Sequence, residues 1–479
     1  MSIAEIVFWF SLLVIFYSYA GYGILLVFIS KISFLRLLFP KPRNRKESRK
    51  ICADASEYKP LVSLIISASG ESREIIKQKI INTVNLDYPK DKLEVFFAIA
   101  YDPSSPTDET LDTFYDEFLA EPAPLKVTST DEEVFVRFMN FDREENLRSE
   151  EALNRLEEQL YTMSFDSSQV TDGAKDVIEG KLAAPASEDP LRVFVTKDIR
   201  RKGKIAQVNR TVEKAKGEII VFSDANSIFN RDSIKNIVTH FNDTSVGCVA
   251  GEKRVKKSEG STSGEGEGLY WKYESFLKKL DSDLWTTVGA AGEIFAVRKE
   301  LWAGSIESNA IIEDFVVSMR IAENGYRVIY EPDAYAEEEP TQDLNAELIR
   351  RKRIAAGGFQ SIVWLKSLLN PFKYGVVTFQ YVSHRVLRWA LVPFLLPIVF
   401  FTNLYLAFFL HSLLYLLIFL AQCFFYLFAL AGWRLELKRK KVKIFYFPFV
   451  LAMMNYAAYH GLIRYLRGSQ SVVWERVKR

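Results

Sequence analysis

Long apolar stretches stand at both ends of the chain and enclose a polar middle. Residues 6–30 and 389–433 contain no Asp, Glu, Lys or Arg, and residues 444–463 form a less uniform apolar run. A helix rises about 1.5 Å per residue, so about 20 residues cross a hydrocarbon core of about 30 Å. The first stretch is long enough to cross a membrane once and the second to cross it twice. We therefore predict an integral membrane protein that is embedded in the lipid bilayer.

Short apolar runs alternate with helical patterns in the polar middle. The predicted buried strands lie at residues 61–67, 93–100, 191–195, 218–222 and 327–330. Helical patterns follow at residues 71–85, around Asn209 and at residues 311–324. Strands that alternate with helices predict an α/β domain with a mostly parallel sheet, whose ligands bind outside the carboxyl ends of the strands.

The changes in pattern predict six parts along the chain. They are an N-terminal transmembrane helix (1–32), a basic juxtamembrane linker (33–59), the α/β domain (60–370), an interfacial amphipathic segment (371–388), a C-terminal transmembrane region (389–466) and a basic tail (467–479). The acidic residues 121–189 interrupt the α/β rhythm as an insertion. We interpret the insertion as a surface subdomain or flexible excursion, with a regulatory or partner-binding role as the alternative.

Basic residues next to the apolar stretches predict the orientation of the chain. Lys and Arg are abundant in residues 31–50, where Glu47 is the one acid. Such an excess marks the cytoplasmic side of a membrane span, so the α/β domain is predicted to be cytoplasmic. The basic loop 434–443 then also falls in the cytoplasm. The protein is predicted to be a multi-pass protein of the plasma or inner membrane.

The last apolar run is a poor candidate for a simple span. It contains polar residues and helix breakers at four positions, namely Pro448, Asn455, His460 and Gly461. A crossing here would also carry the basic tail 467–479 to the outside, against the usual charge distribution. We therefore expect residues 444–463 to be re-entrant or interfacial, with the tail returned to the cytoplasm.

Charge and cysteine usage exclude several classes of protein. The formal net charge is +2, which predicts no strongly acidic partner. The basic run after the first span orients the chain, so no nucleic-acid partner is predicted. Cys52, Cys248 and Cys423 lie far apart, and this spacing predicts neither a disulfide framework nor a zinc site.

The first chemical candidate follows the predicted strand 218–222. Asp224 should project from the carboxyl edge of the sheet, and Asn226, two residues on, can face the same way. One carboxylate and one amide oxygen could tether Mg²⁺ or Mn²⁺ that takes its other ligands from a diphosphate. An ordinary turn or helix cap is the alternative interpretation.

Two further candidates carry charge at predicted strand or helix ends. Gly203 and Lys204 end a basic turn, where lysine suits anionic oxygens and glycine permits close approach of the backbone. Glu313 and Asp314 stand at a predicted helix start. The alternatives are a solvated basic turn and acids that only interact with the helix dipole.

The motifs occur in an order that resembles the inverting family 2 glycosyltransferases. They are residues 60–66, Asp102, residues 201–204 with Asn209, Asp224 with Asn226, Glu313 with Asp314, and residues 350–353. The processive membrane synthases of hyaluronan, cellulose and poly-N-acetylglucosamine are the relatives most similar in kind. The resemblance implies a GT-A-like, Rossmann-like cytoplasmic domain with flanking transmembrane helices. It also implies a hexosyltransferase that uses a nucleotide-sugar donor, with a UDP-sugar expected.

The resemblance also implies a role for each matching residue. The implied assignments are Asp102 to the nucleotide base, Lys204 and Gly203 to the nucleotide-sugar, Asp224 and Asn226 to the metal, Asp314 with its neighbour Glu313 to general base catalysis, and Arg350 and Arg353 to the leaving diphosphate. In this scheme one carboxylate accepts the proton, while cations neutralise the leaving group.

Departures from the family pattern leave the acceptor open. Asn226 stands where the family has a second aspartate, Arg350 replaces glutamine, and Ile354 replaces the tryptophan that stacks on the acceptor sugar. The candidates for another stacking face are Trp271, Trp285, Trp302 and Trp364. We expect transfer to a growing polysaccharide coupled to export. The alternatives are single transfer to a lipid-linked acceptor and an inactive, glycosyltransferase-like scaffold.

Overall fold

The computed structural model describes most of the chain. The described residues are 2–31, 58–68, 71–100, 125–128, 133–140, 191–198, 204–256, 262–302, 306–339, 344–438 and 442–470. Several predicted features lie outside these residues, namely Asp102, Gly203, the basic linker, most of the insertion and the basic tail from residue 471 onward.

Ten strands form one mixed sheet within the described residues. The strands are β1 (Val62–Ala68), β2 (Leu93–Ala100), β3 (Leu125–Thr128), β4 (Glu133–Asn140), β5 (Leu191–Asp198), β6 (Ile219–Asp224), β7 (Ile228–Phe229), β8 (Val246–Val255), β9 (Ile294–Arg298) and β10 (Arg327–Glu338). Their order in the sheet is β3-β4-β5-β2-β1-β6-β9-β8-β10-β7. The run from β4 to β6 is parallel, and β9 is antiparallel to both of its neighbours.

The start of the predicted insertion contributes to the sheet. Strands β3 and β4 fall within residues 121–189 and pair with each other as an antiparallel hairpin. Strand β4 also pairs in parallel with β5, so these residues extend the main sheet. The sequence did not predict this extension.

The helices of the described residues cover the sheet and form the apolar ends. They are α1 (Ile3–Phe16), α2 (Tyr22–Lys31), α3 (Arg73–Val84), α4 (Lys204–Lys214), α5 (Ser233–His240), α6 (Thr262–Leu284), α7 (Glu313–Glu323), α8 (Leu344–Trp364), α9 (Pro371–Tyr374), α10 (Val376–Tyr381), α11 (Val392–Phe409), α12 (Leu413–Leu437) and α13 (Lys443–Leu466). π-helical segments join α1 to α2 at Tyr17–Gly21 and α10 to α11 at Val382–Leu391.

Both faces of the sheet are buried because successive side chains of a strand point to opposite sides. Leu64 of β1 packs in a core with Ile76 of α3, whereas the neighbouring Ile65 packs in a second core with Val208 of α4. With both faces covered, the exposed carboxyl edge of the parallel strands is left as the place where polar side chains can gather.

Three helical stretches are long and apolar enough to cross a membrane. They are Ile3–Lys31, Val376–Phe409 and Leu413–Leu437. A short turn joins the last two, in which His411 has a φ of +46°. Two apolar helices joined by a short turn thus occupy most of residues 389–433, for which the sequence predicts two crossings.

Helix α13 packs beside α8 and differs from these three stretches. Gly461 of α13 approaches α8 so closely that an added Cβ would lie 2.5 Å from the Cβ of Ala355. The Tyr459 hydroxyl donates to the carbonyl of Pro393 over 2.5 Å. The C-terminal half of this continuous helix therefore lies against α8 and the start of α11.

The predicted interfacial segment 371–388 has two parts with different environments. Phe372 is 100% exposed. Val377 and Tyr381 of α10, by contrast, lie in the core of the α/β domain. The apolar helical stretch Val376–Phe409 therefore begins inside the α/β domain.

Candidate active site

Three of the predicted motifs meet at the carboxyl edge of the sheet. Strand β6 ends at Asp224, beside Ser67 at the end of β1. Lys204, the first residue of α4, places its Nζ 2.7 Å from Asp224 Oδ1 and 3.1 Å from Glu313 Oε1. The lysine therefore bridges the predicted metal ligand and the acidic pair at the start of α7.

A tight turn follows Asp224 and carries Asn226. The amide of Ala225 donates to the Ser67 carbonyl over 3.0 Å, and that of Ser227 donates to the Asp224 carbonyl over 3.1 Å. These bonds fix the backbone on both sides of Asp224. Asn226 is half-buried, two residues beyond the aspartate.

A buried lysine forms hydrogen bonds to both ends of this turn. Lys79 of α3 donates to Ser223 Oγ over 2.7 Å and also to the carbonyl of Ser227. Burial lowers the pKa of Lys79 to about 7, against the attraction of Asp224 and Glu338. Its hydrogen bonds hold the two ends of the Asp224 turn together.

The turn can accept a divalent cation that brings most of its own ligands. Among the described residues, Lys204 is the one donor to the Asp224 carboxylate, and it binds one of the two oxygens. No group of three His, Cys, Asp or Glu side chains within the described residues could hold a metal ion. Asp224 and Asn226 therefore fit Mg²⁺ or Mn²⁺ coordinated mainly by phosphate oxygens and water.

Asp314 has the electrostatic environment of a general base. Burial, followed by the negative charges of Glu313 and Glu293, raises the pKa of Asp314 to about 7. Gly292 stands in front of the carboxylate, where an added Cβ would lie 3.6 Å from Asp314 Oδ2. The missing side chain leaves space beside the carboxylate for another group.

Glu313 differs from its neighbour because it has a cationic partner. Burial alone would raise the pKa of Glu313, but Lys204, a backbone hydrogen bond and Arg353 outweigh it and hold the pKa below its usual value. The pKa values of the two adjacent acids are thus shifted in opposite directions. Glu313 is the ionised partner of Lys204, and Asp314 is the acid poised near neutral pH.

The arginines of α8 lie on the same side of the domain. Arg353 is 9% exposed, and its Nη2 donates to the Ile311 carbonyl over 3.4 Å, just before the acidic pair. Arg350 Nε donates to Glu347 Oε2 over 2.9 Å. The charge of Arg350 also contributes to lowering the pKa of Glu293. Both predicted arginines therefore act on the acids of the site.

Comparison with known proteins identifies the domain that carries this geometry. Residues 219–434 match the family described as glycosyl transferase family group 2. The chain contains a family 2 glycosyltransferase domain. This match includes β6 with Asp224, the acidic pair of α7 and the arginines of α8, and it confirms the predicted family.

Known proteins similar to this chain include synthases and transferases. The poly-beta-1,6-N-acetyl-D-glucosamine synthases of Staphylococcus aureus are 25% identical over 210 residues, which is 43% of this chain and 49% of theirs. The chain thus spans about half the length of the curated relatives it matches. A mannosyltransferase from Pyrobaculum calidifontis, solved with GDP-Man and Mn²⁺, covers 98% of this chain and 100% of its own, with a TM-score of 0.59 and 19% identity. This likeness confirms the predicted GT-A-like fold.

Sequence reasoning missed a second group of charges in the family 2 domain. Lys253 of β8 forms ion pairs with Glu293 and with Glu338 of β10, the latter over 2.7 Å. Ser227 Oγ donates to Glu338 Oε1 over 2.7 Å, which joins this group to the Asp224 turn. Burial would raise the pKa of Glu293, but Lys253 and backbone hydrogen bonding outweigh it and lower the pKa to about 2.

The structure separates the four candidate tryptophans. Trp302 belongs to the core, where its Nε1 donates to Asn209 Oδ1 over 3.0 Å. Trp285 lies beside Arg327 and Trp364 beside Arg320, with the guanidinium carbons 5.4 and 5.9 Å from the respective ring centroids. The ring centroid of Trp271 lies 5.4 Å from Nζ of Lys253, the lysine that pairs with Glu293.

Proposed function

We propose that this protein transfers a hexose from a nucleotide-sugar to an acceptor hydroxyl, with inversion at the anomeric carbon. The observation that carries the proposal is the pairing of Lys204 with Asp224 and Glu313, next to Asp314, at one edge of the sheet. The three acids lie within the residues that match family 2. Motifs that are far apart in sequence but meet at one site support the proposal that their residues serve one reaction.

The donor half of the proposed site is built from cations and the Asp224 turn. Lys204 would contact the donor, together with Asp102 and Gly203, which lie outside the described residues. Asp224 and Asn226 would hold Mg²⁺ or Mn²⁺, which supplies positive charge to the leaving diphosphate. Arg350 and Arg353 would add positive charge on the α8 side, consistent with their action on the nearby acids.

The acceptor half depends on Asp314. In the proposed reaction Asp314 takes the proton of the acceptor hydroxyl as its oxygen bonds to the anomeric carbon. The bond from that carbon to the nucleoside diphosphate breaks at the same time. A base is most effective when its pKa lies near the working pH, and the pKa of about 7 meets this condition.

The proposed product is a polysaccharide made at the inner face of the plasma or inner membrane. Three apolar helical stretches support a multi-pass protein, and the basic residues 31–50 support a cytoplasmic domain. The similarity to poly-beta-1,6-N-acetyl-D-glucosamine synthases supports a growing sugar chain as the acceptor. Single transfer to a lipid-linked acceptor remains the second candidate, because Ile354 replaces the tryptophan expected to stack on a polymer end.

The decisive experiment combines turnover with product sizing. Purified full-length protein is incubated with a panel of UDP- and GDP-sugars in Mg²⁺ or Mn²⁺, and release of the nucleoside diphosphate is followed. A ladder of polymer products supports the synthase, whereas one added sugar on an extractable lipid supports single transfer. Absence of turnover with every donor, both in extracted native lipids and in detergent, would favour the inactive scaffold.

A further inference from the structure

A cluster of charged side chains is buried where the apolar helices meet the α/β domain. Its members are Glu274 and Asp281 of α6 with His384, Arg385 and Arg388 of the π-helical segment Val382–Leu391, and we name it the junction cluster. His384 and Asp281 are 0% exposed, and Glu274 is 2% exposed. Burying so many charges is costly unless each is paired, so this arrangement requires a specific geometry.

His384 lies at the centre of the junction cluster. Its Nδ1 is 2.5 Å from Asp281 Oδ2, and its Nε2 is 3.1 Å from Glu274 Oε1. A ring that carries a proton on each nitrogen can donate to both acids at once. The histidine therefore clamps two positions of α6, about two turns apart, to the start of the second apolar stretch.

The N-terminal apolar helix joins the same cluster. The Tyr22 hydroxyl of α2 donates to Asp281. Arg388 Nε donates to the Ser18 carbonyl over 3.0 Å, and its Nη1 donates to Glu274 Oε2 over 3.3 Å. Two of the three candidate membrane spans are thus tied to α6 through one set of buried charges.

The cluster continues into the segment that leads from α6 to Gly292. Gln380 Nε2 donates to the Asp281 carbonyl over 2.8 Å, and its Oε1 accepts from the amide of Thr286 over 3.4 Å. Arg385 Nε donates to the Val288 carbonyl over 3.4 Å. Thr286 and Val288, in the segment that leads to Gly292 beside Asp314, are therefore held by side chains from the base of an apolar helical stretch.

A second line of contacts reaches the residue next to Asp314. The ring of Phe315 lies 5.0 Å from that of Trp389 and 6.3 Å from that of Tyr381. On its other side, an added Cβ at Gly289 would lie 2.3 Å from the Phe315 ring. Phe315 is thus packed between the base of the membrane helix and the segment that leads to Gly292.

We infer that His384 is a positioning residue, which transmits the placement of the membrane helices to Asp314 through α6, the segment 285–292 and Phe315. The inference rests on the proposed function only in taking Asp314 as the base. Because a misplacement of about 1 Å can cost about 10²-fold in rate, loosening the clamp should lower kcat while leaving donor binding intact. π-helical segments such as Val382–Leu391 occur often at functional sites, which agrees with this role.

The test compares His384→Asn, His384→Gln and His384→Phe in the purified full-length protein. The asparagine amide can replace the donor to Asp281, the glutamine amide can replace the donor to Glu274, and phenylalanine replaces neither. We expect kcat to fall about 10²-fold in the phenylalanine variant, with KM for the donor within about twofold of the parent, and partial rescue in at least one amide variant. His411→Asn is the matched control, because His411 lies in the exposed hairpin turn and asparagine tolerates its positive φ.

Hydrogen exchange separates this inference from the proposed function and from a purely structural role. Amides of residues 286–292 and 313–318 should exchange faster in His384→Phe, while those of β1 stay unchanged. If the wild type shows no turnover, the proposed function is wrong. The exchange rates of residues 286–292 and 313–318 then decide alone whether His384 positions the segments around Asp314. A lower Tm with unchanged kcat per folded molecule and unchanged local exchange would overturn the inference.

A second variant covers the case in which His384→Phe does not fold. Trp389→Leu keeps every charge of the junction cluster and removes the aromatic contact with Phe315. The inference expects this variant also to lower kcat more than it changes donor KM. A kcat equal to that of the parent, with normal exchange at residues 313–318, would contradict it.

Discussion

The ammonium of Lys204 lies 2.7 Å from the carboxylate of Asp224, and both side chains are partly open to solvent. Burial works to lower the pKa of Lys204, but Asp224 and Glu313 outweigh it and hold the pKa well above its usual value. The lysine is therefore a cation throughout the physiological range. It is suited to bind an anionic donor and unsuited to act as a base.

Replacing Lys204 by methionine should weaken donor binding. A hydrogen bond to a charged group contributes about 1.5–3 kcal/mol, so the dissociation constant for the nucleotide-sugar should rise about 10- to 100-fold. Titration calorimetry with the donor that supports turnover measures this change. Lys235→Met is the control, because Lys235 forms an exposed ion pair with Asp87 away from these acids. Equal affinity in both variants would show that Lys204 does not contact the donor.

Asp314→Asn should abolish transfer while nucleotide-sugar binding is largely kept. The amide preserves the shape of the side chain but cannot accept the proton of the acceptor, and loss of a general base costs about 10²- to 10⁴-fold in rate. Rates of diphosphate release, together with donor binding, test this directly. Asp91→Asn, an exposed substitution in a surface turn, should leave both unchanged. Turnover near that of the parent would remove Asp314 from the mechanism.

The rate of transfer should rise with pH through about 7. Burial, Glu313 and Glu293 raise the pKa of Asp314 to about 7, so the carboxyl is protonated and inactive below that pH. Below it, kcat/KM should fall about tenfold per pH unit. Glu293→Gln removes one negative neighbour of Asp314 and leaves Lys253 without this partner, and both changes lower the pKa of Asp314. The rising part of the pH–rate profile should therefore move to lower pH by about one pH unit. A pH profile of kcat/KM that is flat between 5 and 8 in the parent would contradict the assignment.

Activity should require a divalent cation, and the two residues of the turn should contribute unequally. The Asp224 carboxylate brings charge to the cation, whereas the Asn226 amide brings a dipole. Donor affinity measured at a fixed Mg²⁺ or Mn²⁺ concentration should therefore fall more in Asp224→Ala than in Asn226→Ala. Full turnover in excess chelator would exclude a metal at this turn.

The parts of the site that the sequence predicted share one physical origin. Asp224 ends an apolar strand and Glu313 begins a helix, so the topology of an α/β domain alone directs both to the carboxyl edge of the sheet. The pairing of Lys204 with both acids agrees with that expectation. The positions of these side chains follow from where the strands and helices begin and end, and the hydrophobic periodicity of the sequence predicts those ends.

The parts that the sequence did not predict depend on pairing between distant strands. Glu338 lies in a run of acids that resembles a solvated surface, and Lys253 lies in an equally polar strand end. They meet because β8 and β10 are parallel neighbours with a particular register. His384 likewise has no acid close to it in sequence, and Asp281 reaches it only through packing of α6 on the π-helical segment. The spacing of these residues along the sequence does not indicate that their side chains come into contact.

The C-terminal end of α13 should lie on the same side of the membrane as the α/β domain. Gly461 packs against Ala355 of α8, and Lys352 of the same helix lies over the ring of Tyr456 at 5.4 Å. Since α8 carries Arg353 to the acidic pair, a segment packed on α8 cannot end across the membrane from the site. The polar residues of 444–463 also predict a segment that does not simply cross, and these contacts support that prediction.

Cysteine labelling on sealed cells tests this placement. Single cysteines at Ser469 and at His411 are introduced into a variant that lacks Cys52, Cys248 and Cys423, and an impermeant thiol reagent is added from outside. The cysteine at His411, in the turn of the predicted hairpin, should label at once and serves as the positive control. The cysteine at Ser469 should label only after permeabilisation, because the basic flanks and the packing on α8 both predict that it lies in the cytoplasm. Labelling of both positions from outside would mean that α13 crosses the membrane, and the packing of α13 on α8 could then not exist in the inserted protein.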